Sequence, residues 1–201
     1  MQLILDQLGI GYDKSLCDDI NLTLEVGSVY VLLGDNGLGK TTLFKTIAGI
    51  INPLFGSIKV QGGKKSGVAF VGTDKPQIDF LSVKEYLSFG QEQVSNETLF
   101  NLLNRFSMQG FVYQDVNDLS DGQFKKIALI RQLLKKKAVL LLDEPSAYLD
   151  VKNKAFLSDM LKSLKHNQVI FLSTHDVDFA KKCGDVFYKI LNNSIIEISE
   201  F

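Results

Sequence analysis

Residues 34–41 have the composition and spacing of a loop that binds phosphate. The segment reads Gly-Asp-Asn-Gly-Leu-Gly-Lys-Thr and fits the pattern G-x-x-x-x-G-K-[ST]. Its glycines let backbone N–H groups wrap around phosphate oxygens, the lysine brings a positive charge, and the threonine hydroxyl can bind Mg²⁺. A chance glycine-rich turn is disfavoured by the buried strand predicted before the segment and the helix predicted after it. The predicted nucleotide-binding residues are Gly34, Asp35, Asn36, Gly37, Gly39, Lys40, Thr41 and Thr42.

Two carboxylates follow a second apolar segment. Residues 139–144 read Val-Leu-Leu-Leu-Asp-Glu, which places Asp143 and Glu144 at the end of a predicted buried strand. In open parallel sheets, ligands bind at that end of the strands. Asp143 suits the coordination shell of Mg²⁺, and Glu144 is positioned to polarise an attacking water as a general base. The alternative is a strand that simply ends in polar residues.

The elements that must position these groups alternate between short apolar strands and helices. Strands are predicted at 20–26, 29–33, 57–61, 67–71, 138–142, 168–173 and 186–191, and helices at 41–48, 121–135, 152–165 and 176–182. Residues 83–114 also have helical character, with breaks at Gly90 and Gly110. Such alternation favours an α/β fold with a mostly parallel sheet covered on both faces.

Length and composition exclude several classes of protein. A chain of 201 residues that is 45% hydrophobic can bury a core of its own. Its longest apolar runs, 29–33 and 138–142, have five residues, whereas a membrane-spanning helix needs about 20. The net charge of −1 argues against nucleic acid as the main partner. Cys17 and Cys183 lie far apart, so no zinc site or disulfide framework is predicted, and we expect a cytoplasmic protein.

Residues 119–123 read Leu-Ser-Asp-Gly-Gln. One interpretation is a capping box, with Ser120 at the N-cap and Gln123 three residues later, and such a helix start is also an anion site. Here the chain resembles the ATP-binding subunits of ABC transporters, whose signature reads LSGGQ. The resemblance spans nearly the whole chain and includes, in the family's order, GDNGLGKTT, LSDGQ, VLLLDEP, a SAYLD segment ending at Asp150, and STHD around His175.

The resemblance implies a P-loop NTPase core with a mostly parallel sheet, an N-terminal antiparallel β-subdomain and an inserted α-helical signature subdomain. The chain would then be a single ABC ATPase domain over residues 1–201. Residues 1–72 and 134–201 would form the nucleotide-binding core with the β-subdomain, and residues 73–133 the helical subdomain.

The resemblance also implies roles for single residues. Tyr12 matches the aromatic residue that stacks on adenine, with an ordinary core tyrosine as the alternative. His175 matches the switch histidine that contacts the γ-phosphate, which gives Lys40, Glu144 and His175 as the catalytic residues. Asp150 matches the loop that communicates across a dimer.

The family's dimer brings in a further set of residues. Two chains pair head to tail around two ATP molecules, and Ser120, Gly122 and Gln123 act on the ATP of the opposite subunit. We therefore expect an ATP-dependent homodimer in which one chain alone holds half of each site.

The chain departs from the family pattern at two places. Thr41 and Asp143 remain as predicted Mg²⁺ ligands, but the family's glutamine after the strand at 67–71 is replaced. Spacing places Thr73 there, and Gln77 is the alternative. Asp121 stands where glycine is common. We expect its carboxylate to point away from the nucleotide, because it would repel an incoming γ-phosphate.

The implied function is ATP binding and hydrolysis that drives an unknown substrate through separately encoded transmembrane permease subunits. The protein would lie on the inner face of the cell membrane and contact these subunits through 73–81, where Phe80 and Leu81 offer an apolar surface, and through 83–110. The absence of a recognisable regulatory domain after His175 favours export. The alternatives are an ABC-type ATPase that acts on a soluble partner complex and a nucleotide-binding regulatory module that does not hydrolyse.

Overall fold

Two sheets organise the chain in the computed structural model, which describes residues 1–63, 67–71, 80–89 and 95–199. The first sheet is antiparallel, with the order β2-β1-β4, and consists of β1 (Gln2–Gly11), β2 (Ser15–Glu25) and β4 (Phe55–Gln61). The second has the order β5-β6-β7-β3-β8-β9. Its strands are β3 (Val29–Leu33), β5 (Val68–Val71), β6 (Val139–Asp143), β7 (Val169–Thr174), β8 (Val186–Leu191) and β9 (Ser194–Ile198).

The second sheet is the one that positions the predicted site. Its strands from β5 to β8 are parallel, and only the edge strand β9 pairs antiparallel with β8. Every residue of β3, β6 and β7 is buried, as expected for strands covered on both faces. Because β6, β7 and β3 are neighbours in the sheet, the residues that follow them meet at one edge.

The helices connect these strands. They are α1 (Lys40–Ile47), α2 (Val83–Ser88), α3 (Asn96–Arg105), α4 (Asp121–Leu134), α5 (Val151–Leu164) and α6 (Val177–Cys183), with two short 3₁₀ helices at Gln109–Phe111 and Val116–Asp118. No helix in these described ranges combines the length and apolar character needed to cross a membrane.

Helix α4 joins the segment around α2 and α3 to the sheet. The ring of Phe124 on α4 packs against Tyr86 on α2, with ring centroids 5.8 Å apart. Leu103 and Phe106, from the α3 region, belong to the same core cluster as Leu142 of β6. This continuity fixes where the first turn of α4 lies relative to the sheet. The division into 1–72, 134–201 and 73–133 stays a prediction.

The apolar pattern did not locate strand β1 or strand β9, although the resemblance implied the antiparallel N-terminal sheet to which β1 belongs, and β2 begins five residues before the predicted 20–26. The alternating burial of β1 breaks between Leu5 and Leu8, where Gln7 has a φ of 46° and the pairing with β2 shifts register. A bulge of this kind interrupts the period-2 pattern from which a strand is predicted. Strand β9 (Ser-Ile-Ile-Glu-Ile) contains three isoleucines, but they form neither a continuous run nor a strict alternation, and at the edge of the sheet none of its residues is fully buried.

Candidate nucleotide-binding site

The predicted phosphate loop connects β3 to α1, as expected. Gly37 and Gly39 have φ values of 88° and 92°, in the left-handed region where glycine is favoured over residues that carry a Cβ. Gly39 is also the N-cap of α1 and has no side chain with which to cap it. The N–H groups of the first helical turn therefore remain available to an anion, and the helix dipole adds positive potential there.

The side chain of Lys40 is buried inside the phosphate loop. Its side chain is only 5% exposed, and its ammonium donates to the backbone oxygens of Gly34 at 2.5 Å and Asp35 at 2.8 Å. The same nitrogen lies 3.7 Å from Oε1 of Glu144. The lysine thus holds the loop against the acidic end of β6, at the place where phosphate oxygens would compete for its protons.

Asp143 is buried at the end of β6 and accepts two hydroxyl hydrogen bonds. Thr41 donates to its Oδ2 at 2.7 Å, and Ser173 donates to its Oδ1 at 2.5 Å. No group of three or more His, Cys, Asp or Glu side chains arranged for a metal occurs in the described part of the chain. The adjacent hydroxyl and carboxylate of Thr41 and Asp143 nevertheless fit Mg²⁺, which binds few protein oxygens and completes its shell with phosphate and water.

Glu144 follows Asp143 and turns into the site. Its φ is 48°, and its N–H donates to the backbone oxygen of Ser173 at 3.1 Å and to that residue's hydroxyl at 3.3 Å. His175 places Nδ1 3.0 Å from Oε2 of the carboxylate. The other oxygen, Oε1, is buried and has no hydrogen-bond partner in the described residues. One carboxylate oxygen is therefore held by His175, while the second lies buried beside Lys40 and accepts no hydrogen bond from the described residues.

The residue that follows His175, Asp176, forms an ion pair with Lys154. Asp176 caps α6 and accepts a hydrogen bond from Lys154 of α5 at 2.6 Å. Burial by itself would raise the pKa of Asp176, but the hydrogen bonds from Lys154 and the Phe179 backbone, with the lysine charge, outweigh it and lower that pKa. The pair therefore anchors the strand end next to the histidine.

Two cavities meet at this edge of the sheet. One, of about 290 Å³, is lined by Leu16 and the phosphate loop, and the other, of about 300 Å³, extends toward α4 and His175. They share Asn36, Thr41, Asp143 and Glu144. The structure thus brings together the loop, both carboxylates and the histidine that the sequence predicted.

Tyr12 lies in the β1–β2 connection with 62% of its surface exposed. The alternative of a core tyrosine is therefore wrong, and its role in stacking on adenine stays a prediction. Thr73 and Gln77, the two candidates for the family's glutamine, lie outside the described residues.

The LSDGQ segment forms the capping box that was its first interpretation. The N–H of Gln123 donates to the Ser120 hydroxyl at 3.3 Å, and the Ser120 N–H donates to Oε1 of Gln123 at 2.8 Å. Ser120, Gly122 and Gln123 line neither of the two cavities. Asp150 caps α5 by accepting the N–H of Asn153 at 2.8 Å. Asp121 is exposed in the first turn of α4, and its orientation toward a nucleotide stays a prediction.

Four further residues at the site were missed by sequence reasoning. Lys125, Lys126 and Tyr148 line the larger cavity, and nothing in their spacing shows that α4 runs beside the β6 end. Ser173 was noted only as part of the STHD segment. Its contact follows from sheet order, because β6 and β7 are paired with Asp143 opposite Ser173.

Comparison with known proteins decides the family. Residues 17–147 match the protein family described as ABC transporter. The chain belongs to the ABC transporter ATP-binding family. The cassette is 33% identical to an aliphatic sulfonates import ATP-binding protein of Pseudomonas syringae pv. tomato, over 83% of this chain and 72% of the relative. It is also 33% identical to an energy-coupling factor transporter ATP-binding protein of Methanosphaera stadtmanae, over 89% of this chain and 71% of the relative.

Solved structures agree with this assignment and confirm the predicted fold class. An ATP-binding subunit of an ABC transporter superposes with a TM-score of 0.84 at 22% identity, covering 99% of this chain and 90% of that one. A dimeric bacterial ABC transporter cassette superposes with a TM-score of 0.81 at 19% sequence identity, covering 99% of this chain and 100% of that one. The third structure is the cbiO1 protein of Clostridium perfringens, described as part of the ABC transporter complex cbiONQ. It superposes with a TM-score of 0.70 at 26% sequence identity, covering 96% of this chain and 86% of that one.

Proposed function

We propose that this cassette binds and hydrolyses ATP and thereby drives transport through separate transmembrane permease subunits. The observation that carries the proposal is the state of the Glu144 carboxylate. One of its oxygens contacts His175, and the other is buried without a hydrogen bond, 3.7 Å from the Lys40 ammonium. An oriented carboxylate beside a lysine in a phosphate loop is suited to activating water against a terminal phosphate.

Binding begins with an exchange of partners at Lys40. Its ammonium leaves the oxygens of Gly34 and Asp35 and donates to the β- and γ-phosphates, while N–H groups at the start of α1 cradle the remaining oxygens. Thr41 and Asp143 would hold Mg²⁺, and the bound ion would neutralise part of the negative charge of the phosphates. Tyr12 stacks on the adenine.

Hydrolysis then needs one water and one proton acceptor. Once Lys40 has turned to the phosphates, a water takes the place beside Oε1 of Glu144 and attacks the γ-phosphorus, so that the bond to the ADP oxygen breaks and inorganic phosphate forms. Glu144 takes the water proton, while His175 orients the Glu144 carboxylate and would also contact the γ-phosphate. The products are ADP, phosphate and one proton.

A second copy of the chain completes each site. Ser120 is exposed, Gly122 and Gln123 are half-buried, and none of the three lines either cavity of the site, which supports an action of these residues on the partner's ATP. A capped helix start is suited to a γ-phosphate. The dimeric cassette of the same fold also supports a head-to-tail homodimer that closes on ATP, with Asp150 beside the shared surface.

The membrane subunits would meet the cassette near α2, on the cytoplasmic face of the membrane. Phe80 has 94% of its surface exposed, and Leu81 next to it is half-buried against the core. The sulfonate relative bears an import name and cbiO1 belongs to a larger transporter complex. These names support a transporter subunit, and the name of the sulfonate relative favours import. The expectation of export had rested only on the absence of a recognisable regulatory domain after His175.

Hydrolysis is tested by comparing the wild type with Glu144→Gln. We expect slow Mg-ATPase activity in the wild type, a loss of about 10²–10⁴-fold in the variant, and an ATP-bound dimer that accumulates in the variant. Glu97→Gln, on the exposed surface of α3, is the matched control. Equal, measurable rates in wild type and Glu144→Gln would overturn the assignment of Glu144 as the general base, whereas no hydrolysis by either protein would favour a module that does not hydrolyse.

Transport coupling needs a separate test. We expect the cassette to copurify with a membrane permease and Phe80→Asp to abolish this association without changing the ATPase activity of the isolated cassette. Copurification with a soluble complex instead, insensitive to Phe80→Asp, would overturn the transporter assignment.

A further inference from the structure

A third cavity, of about 690 Å³, lies between α3 and α5, apart from the nucleotide site. None of the described residues that line it lines either of the two cavities of that site. Its α3 wall includes Asn101 and Arg105, and its α5 wall includes Lys152, Asn153 and Phe156. Sites for small molecules usually have volumes of about 300–1,000 Å³. The cavity therefore has the size of a ligand site, and its lining indicates which ligand would fit.

The charged part of this lining is entirely positive. Arg105 is the last residue of α3, Lys152 lies in the first turn of α5, and no Asp or Glu is among the described residues that line the cavity. Neither cation forms an ion pair within the described part of the chain. Carboxylate, sulfonate and phosphate oxygens accept strong charge-assisted hydrogen bonds from such groups. Two unpaired cations on one cavity therefore favour an anionic occupant.

A buried amide lies in the same lining. Asn153 is only 4% exposed, and its backbone N–H donates to the carboxylate of Asp150 at 2.8 Å. Its side-chain amide, in contrast, forms no hydrogen bond with any residue that the structure describes. Neither polar atom of this amide is sealed from solvent, so the surface that it keeps opens into the cavity. Because an amide that is buried without a partner destabilises the fold, a ligand that bonds to it gains affinity.

The remaining wall of the cavity is apolar and contains an aromatic ring that is fixed by its neighbours. Phe156 packs edge-on against Phe106, with ring centroids 5.6 Å apart. The guanidinium of Arg105 lies 5.5 Å from the centre of the Phe156 ring, within the range of a cation–π contact. Met160 lines the cavity one turn further along α5, and its flexible thioether adapts to irregular shapes. This wall suits a flat, apolar body attached to the anionic group.

We propose that this cavity binds a small organic anion whose carboxylate, sulfonate or phosphate group is held by Arg105 and Lys152. The Asn153 amide donates a further hydrogen bond, and the apolar body of the ligand lies against Phe156. A small molecule is favoured over an acidic segment of a partner protein, because the amide is almost fully buried and is reached only from inside the cavity. This inference goes beyond the proposed function and does not depend on it, since the two sites share no lining residue.

The test titrates anilinonaphthalene sulfonate, a sulfonate on a flat ring system, into the whole protein without nucleotide. The fluorescence of this probe rises when it leaves water, so the titration gives its affinity. We expect Arg105→Met and Lys152→Met each to weaken binding about 10–100-fold, because each removes a hydrogen bond to a charged group. Lys162→Met is the matched control and should keep the wild-type affinity, since Lys162 is an exposed lysine of the same helix that lies outside the cavity lining.

The variant Asn153→Leu separates a binding role of the amide from a structural one. Leucine has nearly the same size but forms no hydrogen bond, so we expect the probe to bind about 2–10-fold more weakly. The variant should also be at least as stable to heat as the wild type, because an unpaired buried amide is removed. A loss of thermal stability, or an unchanged affinity for the probe, would overturn the inference.

Competition with the bound probe identifies the class of the occupant. We expect naphthalene sulfonate to displace the probe, neutral naphthol to compete about 10-fold more weakly, and neither a tetraglutamate peptide nor ATP to displace it. Displacement by ATP would place the probe in the nucleotide site, displacement by the peptide would favour an acidic partner segment, and equal competition by naphthol would show that charge is not recognised. Any of these results, an unchanged affinity in Arg105→Met or Lys152→Met, or no binding by the wild type would overturn the inference. Because the probe is measured without ATP, none of them bears on the proposed function.

Discussion

The hydroxyl of Ser173 donates to Oδ1 of Asp143 at 2.5 Å, and both side chains are buried. The same hydroxyl accepts the N–H of Glu144 at 3.3 Å. One side chain on β7 therefore orders both acidic residues at the end of β6. It fixes which oxygen of Asp143 remains beside Thr41 and where the chain turns to present Glu144.

Replacing Ser173 with alanine tests this role. Asp143 would lose one of its two hydroxyl donors, so we expect the apparent affinity for Mg²⁺ in the ATPase reaction to fall about 10–100-fold, the usual effect of removing a group that orients a metal ligand. The measurement is an Mg²⁺ titration of the rate at saturating ATP.

The control for this variant is Ser158→Ala. Ser158 is also fully buried and hydrogen-bonded, since its hydroxyl donates to the Lys182 backbone oxygen at 3.0 Å, but it lies on α5 and its bond joins that helix to α6. The Ser158→Ala variant should lose about as much unfolding free energy as Ser173→Ala but keep the Mg²⁺ dependence of the wild type. Equal Mg²⁺ dependence in the two variants would contradict the role of Ser173.

Tyr12 gives a prediction specific to the base of the nucleotide. Its ring is largely exposed, and stacking on a base is worth about 1–3 kcal/mol. We therefore expect Tyr12→Ala to weaken ATP binding about 5–150-fold, Tyr12→Phe to keep it, and inorganic tripolyphosphate to bind all three proteins equally. Equilibrium titration measures these affinities. A parallel loss of ATP and tripolyphosphate binding would show that Tyr12 supports the phosphate loop instead.

Acid stability depends on Asp185 at the start of β8. Burial by itself would raise its pKa, but hydrogen bonds from Lys165 and the Val29 backbone, with the charges of Lys165 and Lys162, outweigh it and lower the pKa. A carboxyl with a lowered pKa in the folded state stabilises the fold above its unfolded-state pKa. That contribution is lost as the pH falls through the folded-state value.

We therefore expect Asp185→Asn to cost about 1–3 kcal/mol of unfolding free energy near neutral pH. The difference from the wild type should shrink as the wild-type carboxyl takes up its proton in acid. Urea unfolding at a series of pH values measures it. Asp159→Asn, at an exposed position of α5, is the control and should cost little at any pH. A cost for Asp185→Asn that is as large in acid as at neutral pH would refute the linkage.

The sequence predicted those parts of the fold that carry a local signal. Strands β3 and β6 are continuous apolar runs because both faces are covered, and the start of α4 follows from the capping pair of Ser120 and Gln123. Strand β1 escaped prediction because its bulge at Gln7 breaks the alternation.

The residues of the candidate site also fall into two groups, those that a local pattern predicts and those that depend on tertiary packing. Lys40, Thr41, Asp143 and Glu144 lie in segments whose spacing reflects their chemistry, so they could be predicted. The contacts of Ser173 and Tyr148 depend on which strands are neighbours and on where α4 packs. Those relationships join residues far apart in the chain, and no local pattern encodes them.

The central claim is that each ATP is shared between two copies of this chain. It is tested most directly by mixing Lys40→Met, which loses the phosphate-loop cation, with Ser120→Phe, which is too large to approach the partner's triphosphate. Each variant alone should be inactive, because both sites of its dimer are damaged. In a random mixture, half of the dimers contain both variants and have one intact site, so we expect up to about a quarter of the wild-type ATPase rate to return. A mixture with no more activity than the separate variants would contradict the shared site.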